Sequence, residues 1–189
     1  MENEVWAQIG NGKQDAYAQL YVFYYKRLYN YGRKFTSDTA LLEDALQEAL
    51  MAVWTGRDRL KTLRTPHTYL FNSFRFILFR KIRQAKRLSP YTEAQEGEPE
   101  FGVEQVLVLR DTEAALSQRL EQAVRGLTSR QREAVFLRFY EGLSYEEVAE
   151  VLGISVKGTY KVMARALLQL KETLSLPLLA VLVLLRDLL

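Results

Sequence analysis

The stretch LSYEEVAEVLGISVKGTYKVMARALLQ, residues 143–169, decides the fold of its part of the chain. Ser144 is followed three residues later by Glu147, which is the spacing of a capping box at the start of a helix. Gly153 can take the positive φ of a sharp turn, and its spacing of four from Ala149 lets a second helix cross closely. The stretch therefore predicts two helices joined by a tight turn.

The second of these helices has a cationic outer face. Its outward side chains are Lys157, Tyr160, Lys161 and Arg165, and no acid follows until Glu172. This is the layout of a helix-turn-helix whose second helix enters the major groove of duplex DNA. An ordinary helical hairpin with solvated lysines is the alternative interpretation, but cap, turn glycine and cationic helix together favour DNA binding.

The composition predicts an all-helical protein with unevenly distributed charge. The 189 residues include four prolines and no alternating strand pattern, and the formal net charge is +3. Residues 57–87 hold ten Lys or Arg and one acid, whereas residues 93–104 hold five acids and no base. Such segregation indicates one surface for a polyanion and a separate acidic spacer. Cysteine and a signal peptide are absent from the sequence, which favours a cytoplasmic protein without disulfides.

Two further helices carry polar patterns of interest. LEDALQEALMAVW, residues 42–54, has an apolar face and an opposite face of acids and an amide, for which a merely solvated surface is the simplest interpretation. HTYLFNSFRFILFRKIRQAKR, residues 67–87, interleaves aromatic rings with cations. Exposed rings beside cations suit unstacked bases, at about 1–3 kcal/mol per base, and this favours single-stranded nucleic acid. The alternative is a core helix with a snorkelling basic rim.

The remaining chain predicts a tether, a second helical domain and an apolar end. Residues 89–110 are rich in Pro, Gly and Glu and are predicted to form a flexible acidic linker. The predicted domains are residues 1–88 and 111–175, and an apolar extension covers residues 176–189. The extension's unbroken apolar run is eight residues, far below the roughly 20 that span a bilayer, so it is expected to pack on its own domain or on a partner.

Taken together, these residues resemble the extracytoplasmic-function branch of the sigma-70 family. LEDALQEALMAVW is similar to the family helix EDxxQExFxxxW. LTSRQREAVFLRFYEGLSYEEVAEVLGIS, residues 127–155, is similar to LPxRxRExxxLRxxEGLSYxEIAxxLGIS, and RALLQL, residues 165–170, to RAxxxL. A helix-turn-helix placed last, after an acidic-patch helix and a basic aromatic helix, makes the resemblance specific.

The resemblance implies an all-α protein of two small helical domains joined by a flexible acidic linker, the second containing the helix-turn-helix. It implies a transcription initiation factor that binds core RNA polymerase, is not an enzyme and needs no cofactor.

The resemblance also implies which residues contact each partner. The implied contacts with the clamp helices of the largest polymerase subunit are Asp44, Gln47 and Glu48. The resemblance also implies that the minus-ten element is melted and that one of its bases is flipped out. The implied contacts with this element are Tyr69, Arg75, Phe76, Arg80 and Arg83. The implied contacts with the minus-thirty-five element are Arg130, Arg132, Lys157, Tyr160, Lys161 and Arg165. The flap region of polymerase, double- and single-stranded promoter DNA and an anti-sigma factor are the further implied partners, without direct membrane insertion.

The sequence departs from the family at several of these positions. The family commonly has Trp at Tyr69, Asn at Phe76 and Asp at Arg80, so this promoter-melting helix is more aromatic and more basic. A conventional helix-turn-helix regulator that is not a polymerase subunit is the alternative, but it needs neither the acidic nor the aromatic helix. An enzyme acting on nucleic acid finds little support, because His67 is the only histidine.

Overall fold

The computed structural model describes residues 2–88, 98–102 and 114–188. Within these ranges the chain forms helices and turns and no strand, which confirms the predicted all-α class. The chain divides into two compact units, Met1–Pro99 and Glu100–Leu189, as expected for two small helical domains.

The described part of the first unit contains five helices. They are α1 (Glu2–Gly10), α2 (Gln14–Gly32), α3 (Thr39–Thr55), α4 (Arg57–Leu60) and α5 (Pro66–Leu88). Asp38 caps α3, and its carboxylate accepts a 3.0 Å hydrogen bond from the N–H of Leu41. Pro66 starts α5, where its missing N–H costs nothing.

Aromatic rings fill the core of the first unit. Helix α3 packs along α5, and α2 packs against both. Tyr24, Tyr31, Phe71 and Phe74 are buried between them, and the rings of Tyr31 and Phe71 meet edge to face at 5.8 Å. Of the tyrosines of α2, Tyr24 and Tyr31 are buried in this core, whereas Tyr21 is 39% exposed. This packing fixes α3 and α5 side by side, so that their outer faces form one surface.

In the second unit, five α-helices and one π-helical turn are described. They are α6 (Ala114–Gly126), α7 (Ser129–Val135), the π-helical turn (Phe136–Tyr140), α8 (Tyr145–Leu152), α9 (Val156–Leu174) and α10 (Leu178–Leu188). The predicted capping box at Ser144 is formed, and a second capping box forms at Thr128 with Gln131. After α7 the chain shifts to π geometry at Phe136, where the N–H of Glu141 donates to the Phe136 carbonyl.

Phe101 corrects the assignment of its segment to a linker. Most of the predicted linker, residues 89–97 and 103–110, lies outside the described residues. Phe101 itself is fully buried in the second unit, where its ring lies 5.6 Å from that of Phe136. Its N–H donates to Ser129 Oγ at 2.6 Å. A large ring buried in this way stabilises the fold, so residues next to it are not a free tether.

The apolar C-terminal stretch forms α10. Val181 and Leu185 are fully buried, and α10 packs against α9 and the π-helical turn, in agreement with the expectation that it packs on its own domain. Among the described residues, no helix has the length and apolar character needed to cross a bilayer.

Candidate nucleic-acid interface

The helix-turn-helix is held by three local hydrogen bonds. Ser144 Oγ accepts from the N–H of Glu147 at 3.2 Å, and the Glu147 carboxylate accepts from the N–H of Ser144 at 2.8 Å. Gly153 ends α8 with a φ of 62°, which a side chain would disfavour. Ser155 Oγ then accepts from the N–H of Gly158 at 3.1 Å and caps α9. These contacts start α8 after Ser144, end it at Gly153 and start α9 after Ser155, so the two predicted helices are joined by a tight turn.

Helix α9 presents one cationic row to solvent. Lys157, Lys161 and Arg165 are exposed and lie four residues apart, so they share a face over about 12 Å of helix. Tyr160 lies beside them, 51% exposed, with its ring stacked on Tyr145 at 4.3 Å and 11°. The four predicted side chains of α9 therefore come together on one surface.

The two arginines of α7 that were predicted to contact DNA differ in their exposure to solvent. Arg130 is exposed in the first turn of α7. Arg132 is half-buried, and its guanidinium donates to the carbonyls of Phe101, at 2.8 Å, and of Leu127. Burial lowers the pKa of Arg132. Arg132 therefore ties chain segments of the second unit together, and the structure does not present it to solvent as it presents Arg130.

The acidic face of α3 is joined to the basic face of α5. Asp44 and Gln47 are exposed and Glu48 is half-buried. Lys81 Nζ lies 2.5 Å from Asp44 Oδ2 and 3.0 Å from Glu48 Oε2, and Arg80 donates to Glu48 Oε1 at 2.5 Å. Hydrogen bonds from Arg80 and then Lys81 lower the pKa of Glu48, and the hydrogen bond to Asp44 raises the pKa of Lys81. Both shifts favour the charged form, a carboxylate at Glu48 and an ammonium at Lys81.

Lys81 was missed as a functional candidate. Its only signal in the sequence is its place next to Arg80 in a basic helix. Its pairing with Asp44 and Glu48 depends on which residues of α3 and α5 lie opposite each other, and helical periodicity within one segment does not encode this.

The outer face of α5 carries one exposed ring between cations. Phe76 is 63% exposed, and Arg80 and Arg83 follow it at spacings of four and seven residues on the same face. Arg75 is elsewhere. It is buried, pairs with Glu98 at 3.1 Å and lies over another aromatic ring of α5, so the structure does not bring it to the face of Phe76.

Tyr69 lines a cleft at the start of α5. The cleft has a volume of about 470 Å³. Its other lining residues are Ala52, Thr55, Gly56, Asp58 and Arg59. Asp58 and Arg59 lie in the short helix α4, and neither was predicted from the sequence as a site residue. Within the described ranges, no three acidic or histidine side chains lie together as metal ligands would.

Comparison with known proteins identifies the family. Residues 20–88 match Sigma-70 region 2, and residues 117–170 match Sigma-70, region 4. The chain belongs to the sigma-70 family. It is a sigma factor of the extracytoplasmic-function type, and its general role is transcription initiation, in which the family gives RNA polymerase its promoter specificity.

Several characterised sigma factors are similar over most of their length. This chain is 26% identical over 179 residues to the ECF RNA polymerase sigma factor SigK of Mycobacterium ulcerans, and the match covers 91% of this chain and 92% of SigK. It is 28% identical over 145 residues to the RNA polymerase sigma factor CarQ of Myxococcus xanthus, covering 77% and 81%. The RNA polymerase sigma factor CnrH of Cupriavidus metallidurans is 29% identical over 178 residues, covering 89% and 91%.

Two solved structures share the fold. One is CnrH in complex with the cytosolic domain of CnrY, with a TM-score of 0.57 and 22% identity, covering 92% of this chain and 96% of that one. The other is the sigma factor RpoE in complex with the anti-sigma factor NepR from Bartonella quintana, with a TM-score of 0.60 and 23% identity, covering 84% and 96%.

Proposed function

We propose that this sigma factor binds core RNA polymerase through α3, melts the minus-ten element with α5 and reads the minus-thirty-five element with α9. The observation that carries the proposal is that each of the two family regions has a cationic helix face. The face of α9 carries a row of cations, and the face of α5 carries cations beside an exposed aromatic ring. The sigma factor acts in the cytoplasm, where it meets polymerase, and it acts as a specificity subunit without catalysis of its own.

The surface of α9 suits duplex DNA. The row of Lys157, Lys161 and Arg165 can contact phosphates and base edges while Tyr160 lies between them. Arg130, exposed on α7, adds a phosphate contact at the edge of the groove. Each phosphate neutralised by such a cation makes binding more dependent on salt.

The surface of α5 suits a single strand. Phe76 offers an exposed ring on which a base can stack, and Arg80 and Arg83 lie along the same face for the phosphates. The cleft beside Tyr69 can receive a base that has left the stack. The sequence has no GxxxxGK[ST] loop for nucleotide hydrolysis, so the free energy for melting comes from binding the open strand.

The polymerase contact is assigned to Asp44, Gln47 and Glu48. They form an acidic and amide patch on the outer face of α3 that can accept hydrogen bonds from cationic side chains of the clamp helices. The second unit would contact the flap region. An anti-sigma factor that covers these surfaces would hold the factor inactive, and two sigma factors of the same fold were solved with such binding partners, CnrY and NepR.

Run-off transcription with core polymerase and a genomic DNA library tests the proposal. The wild-type chain is compared with the triple variant Asp44→Arg, Gln47→Ala, Glu48→Arg. Transcripts that arise with the wild-type chain and not with the triple variant are expected. A double charge reversal at two exposed acids outside the patch, Glu4→Arg and Asp15→Arg, is the control and should retain the transcripts.

The same assay separates the alternative function. If no transcripts arise with the wild-type chain while it still binds duplex DNA specifically, the chain is a helix-turn-helix regulator that does not act as a polymerase subunit. The role given to α3 would then be wrong.

A further inference from the structure

Four charged side chains of the first unit form one ionic cluster across α3 and α5. Asp44 and Glu48, one turn apart on α3, face the consecutive Arg80 and Lys81 of α5. Under the proposed function, the two carboxylates are polymerase contacts and Arg80 is a DNA contact. Glu48, assigned to polymerase, and Arg80, assigned to DNA, therefore form an ion pair with each other in the free protein.

The members of the cluster differ in their access to solvent. The Lys81 side chain is 18% exposed and contacts both carboxylates, whereas Arg80 is 49% exposed and contacts Glu48 alone. Lys81 is thus the inner member of the cluster that holds Asp44 and Glu48 in place. The Arg80–Glu48 pair is the outer member, and either of its partners can be reached by a ligand without unpacking the core.

We propose that the Arg80–Glu48 pair couples polymerase binding to DNA binding, with Lys81 as a positioning residue. In the free protein, Glu48 neutralises Arg80 and weakens its attraction for phosphate. When a cationic side chain of polymerase pairs with Glu48 instead, Arg80 becomes available to bind the phosphates of the open strand. The inference rests on the proposed function and adds to it a coupling between the two binding partners.

Thermodynamic linkage makes the coupling reciprocal. If polymerase binding through Glu48 strengthens DNA binding through Arg80, DNA binding must strengthen polymerase binding by the same factor. Arg80→Ala should also tighten polymerase binding, because it removes the ion pair that polymerase would have to break. The expected size is modest, because a half-exposed ion pair shifts an equilibrium by about two- to five-fold. A released cation also changes the salt dependence, by about 0.7 in the slope of log K against log salt for a single strand.

The first arm of the test measures binding of the full chain to a fluorescent single-stranded oligonucleotide over a range of salt. We expect Glu48→Gln to bind about two- to five-fold more tightly than the wild-type chain and with a slope steeper by about 0.7. Asp15→Asn, which removes one exposed acid outside the cluster, is the matched control and should leave the slope unchanged. Arg80→Ala should weaken binding.

The second arm measures binding of the same chains to core polymerase without DNA. We expect Arg80→Ala to bind core polymerase about two- to five-fold more tightly, whereas Lys26→Ala, which removes an exposed cation of α2, should match the wild-type chain. A variant that simply damages the fold would lose affinity for both partners, and thermal unfolding of each chain identifies this case.

The outcomes separate the coupling from the function on which it rests. If Arg80→Ala weakens DNA binding but Glu48→Gln behaves like Asp15→Asn, or if Arg80→Ala does not tighten polymerase binding, the coupling is overturned and the proposed surfaces stand. If Arg80→Ala has no effect on binding to single-stranded DNA, the DNA role proposed for Arg80 is itself wrong and the coupling falls with it. Should Glu48→Gln fail to fold, the polymerase arm with Arg80→Ala decides alone.

Discussion

Replacing Gly32 with alanine should destabilise the first unit, because the residue lies where α2 meets α3 and α5. A Cβ at this position would lie 2.3 Å from Leu42 Cδ1 and 2.8 Å from Phe74 Cζ. Ordinary contacts between carbon atoms are about 3.5–4.0 Å, so the methyl group overlaps Leu42 by more than roughly 1 Å. Leu42 and Phe74 are both fully buried and cannot turn into solvent.

The expected cost follows from this overlap. Overpacking a closed core costs about 1–3 kcal/mol, and the better helix propensity of alanine returns at most about 1 kcal/mol of it. Since 1 kcal/mol shifts the midpoint of a unit of this size by about 4–8 °C, Gly32→Ala should lower it by several degrees.

Tryptophan fluorescence during thermal unfolding of the full chain is the assay. Trp6 and Trp54 are the only tryptophans and both lie in the first unit, so their signal follows that unit alone. Gly10→Ala is the matched control, because its Cβ would meet the flexible side chain of Lys61, at 3.1 Å, and should change the midpoint much less. A Gly32→Ala midpoint equal to or above the wild-type value would refute the close crossing.

Three further predictions concern charge and burial. Burial lowers the pKa of Lys34 to about 8, so the unfolded chain binds more protons between pH 8 and 10.5 and stability must rise with pH there. The unfolding free energy of the wild-type chain relative to Lys34→Met should therefore grow by about 1–3 kcal/mol across that window in urea titrations, and a flat difference would contradict the pKa. Arg165→Ala should reduce the salt slope of duplex binding by about 0.9, while Arg125→Ala, an exposed arginine of α6, should not; equal slopes would exclude Arg165 from the phosphates. Phe101→Ala should destabilise the second unit by about 3–5 kcal/mol in circular-dichroism melts, whereas a linker residue would give no change.

The helix-turn-helix was predictable because its determinants are local. The capping box joins Ser144 to Glu147, only three positions apart, and the left-handed turn at Gly153 needs only the glycine itself. The outward face of α9 follows from the helical period, so the row that includes Lys161 was also correctly placed. Such features depend on neighbouring residues and not on contacts between distant segments.

The side-chain partners were not predictable, because they join residues distant in sequence. Lys81 reaches Asp44 across 37 residues, and Arg132 reaches the carbonyl of Phe101 across 31. Arg75 has the same residue type and helix as the predicted DNA contacts, yet the rotation of α5 about its axis buries it against Glu98. These outcomes depend on packing geometry that no single segment contains.

The stacked tyrosines of the helix-turn-helix make the protein its own spectroscopic probe. Tyr145 on α8 and Tyr160 on α9 lie face to face 4.3 Å apart, so each ring lies in the ring current of the other. Their aromatic protons should therefore resonate away from those of an unstacked tyrosine in a nuclear magnetic resonance spectrum. Because Tyr160 is half exposed on the cationic face, any nucleic acid that engages α9 must disturb this pair of signals. Occupancy of that helix can thus be followed on the natural chain, without a label and without polymerase.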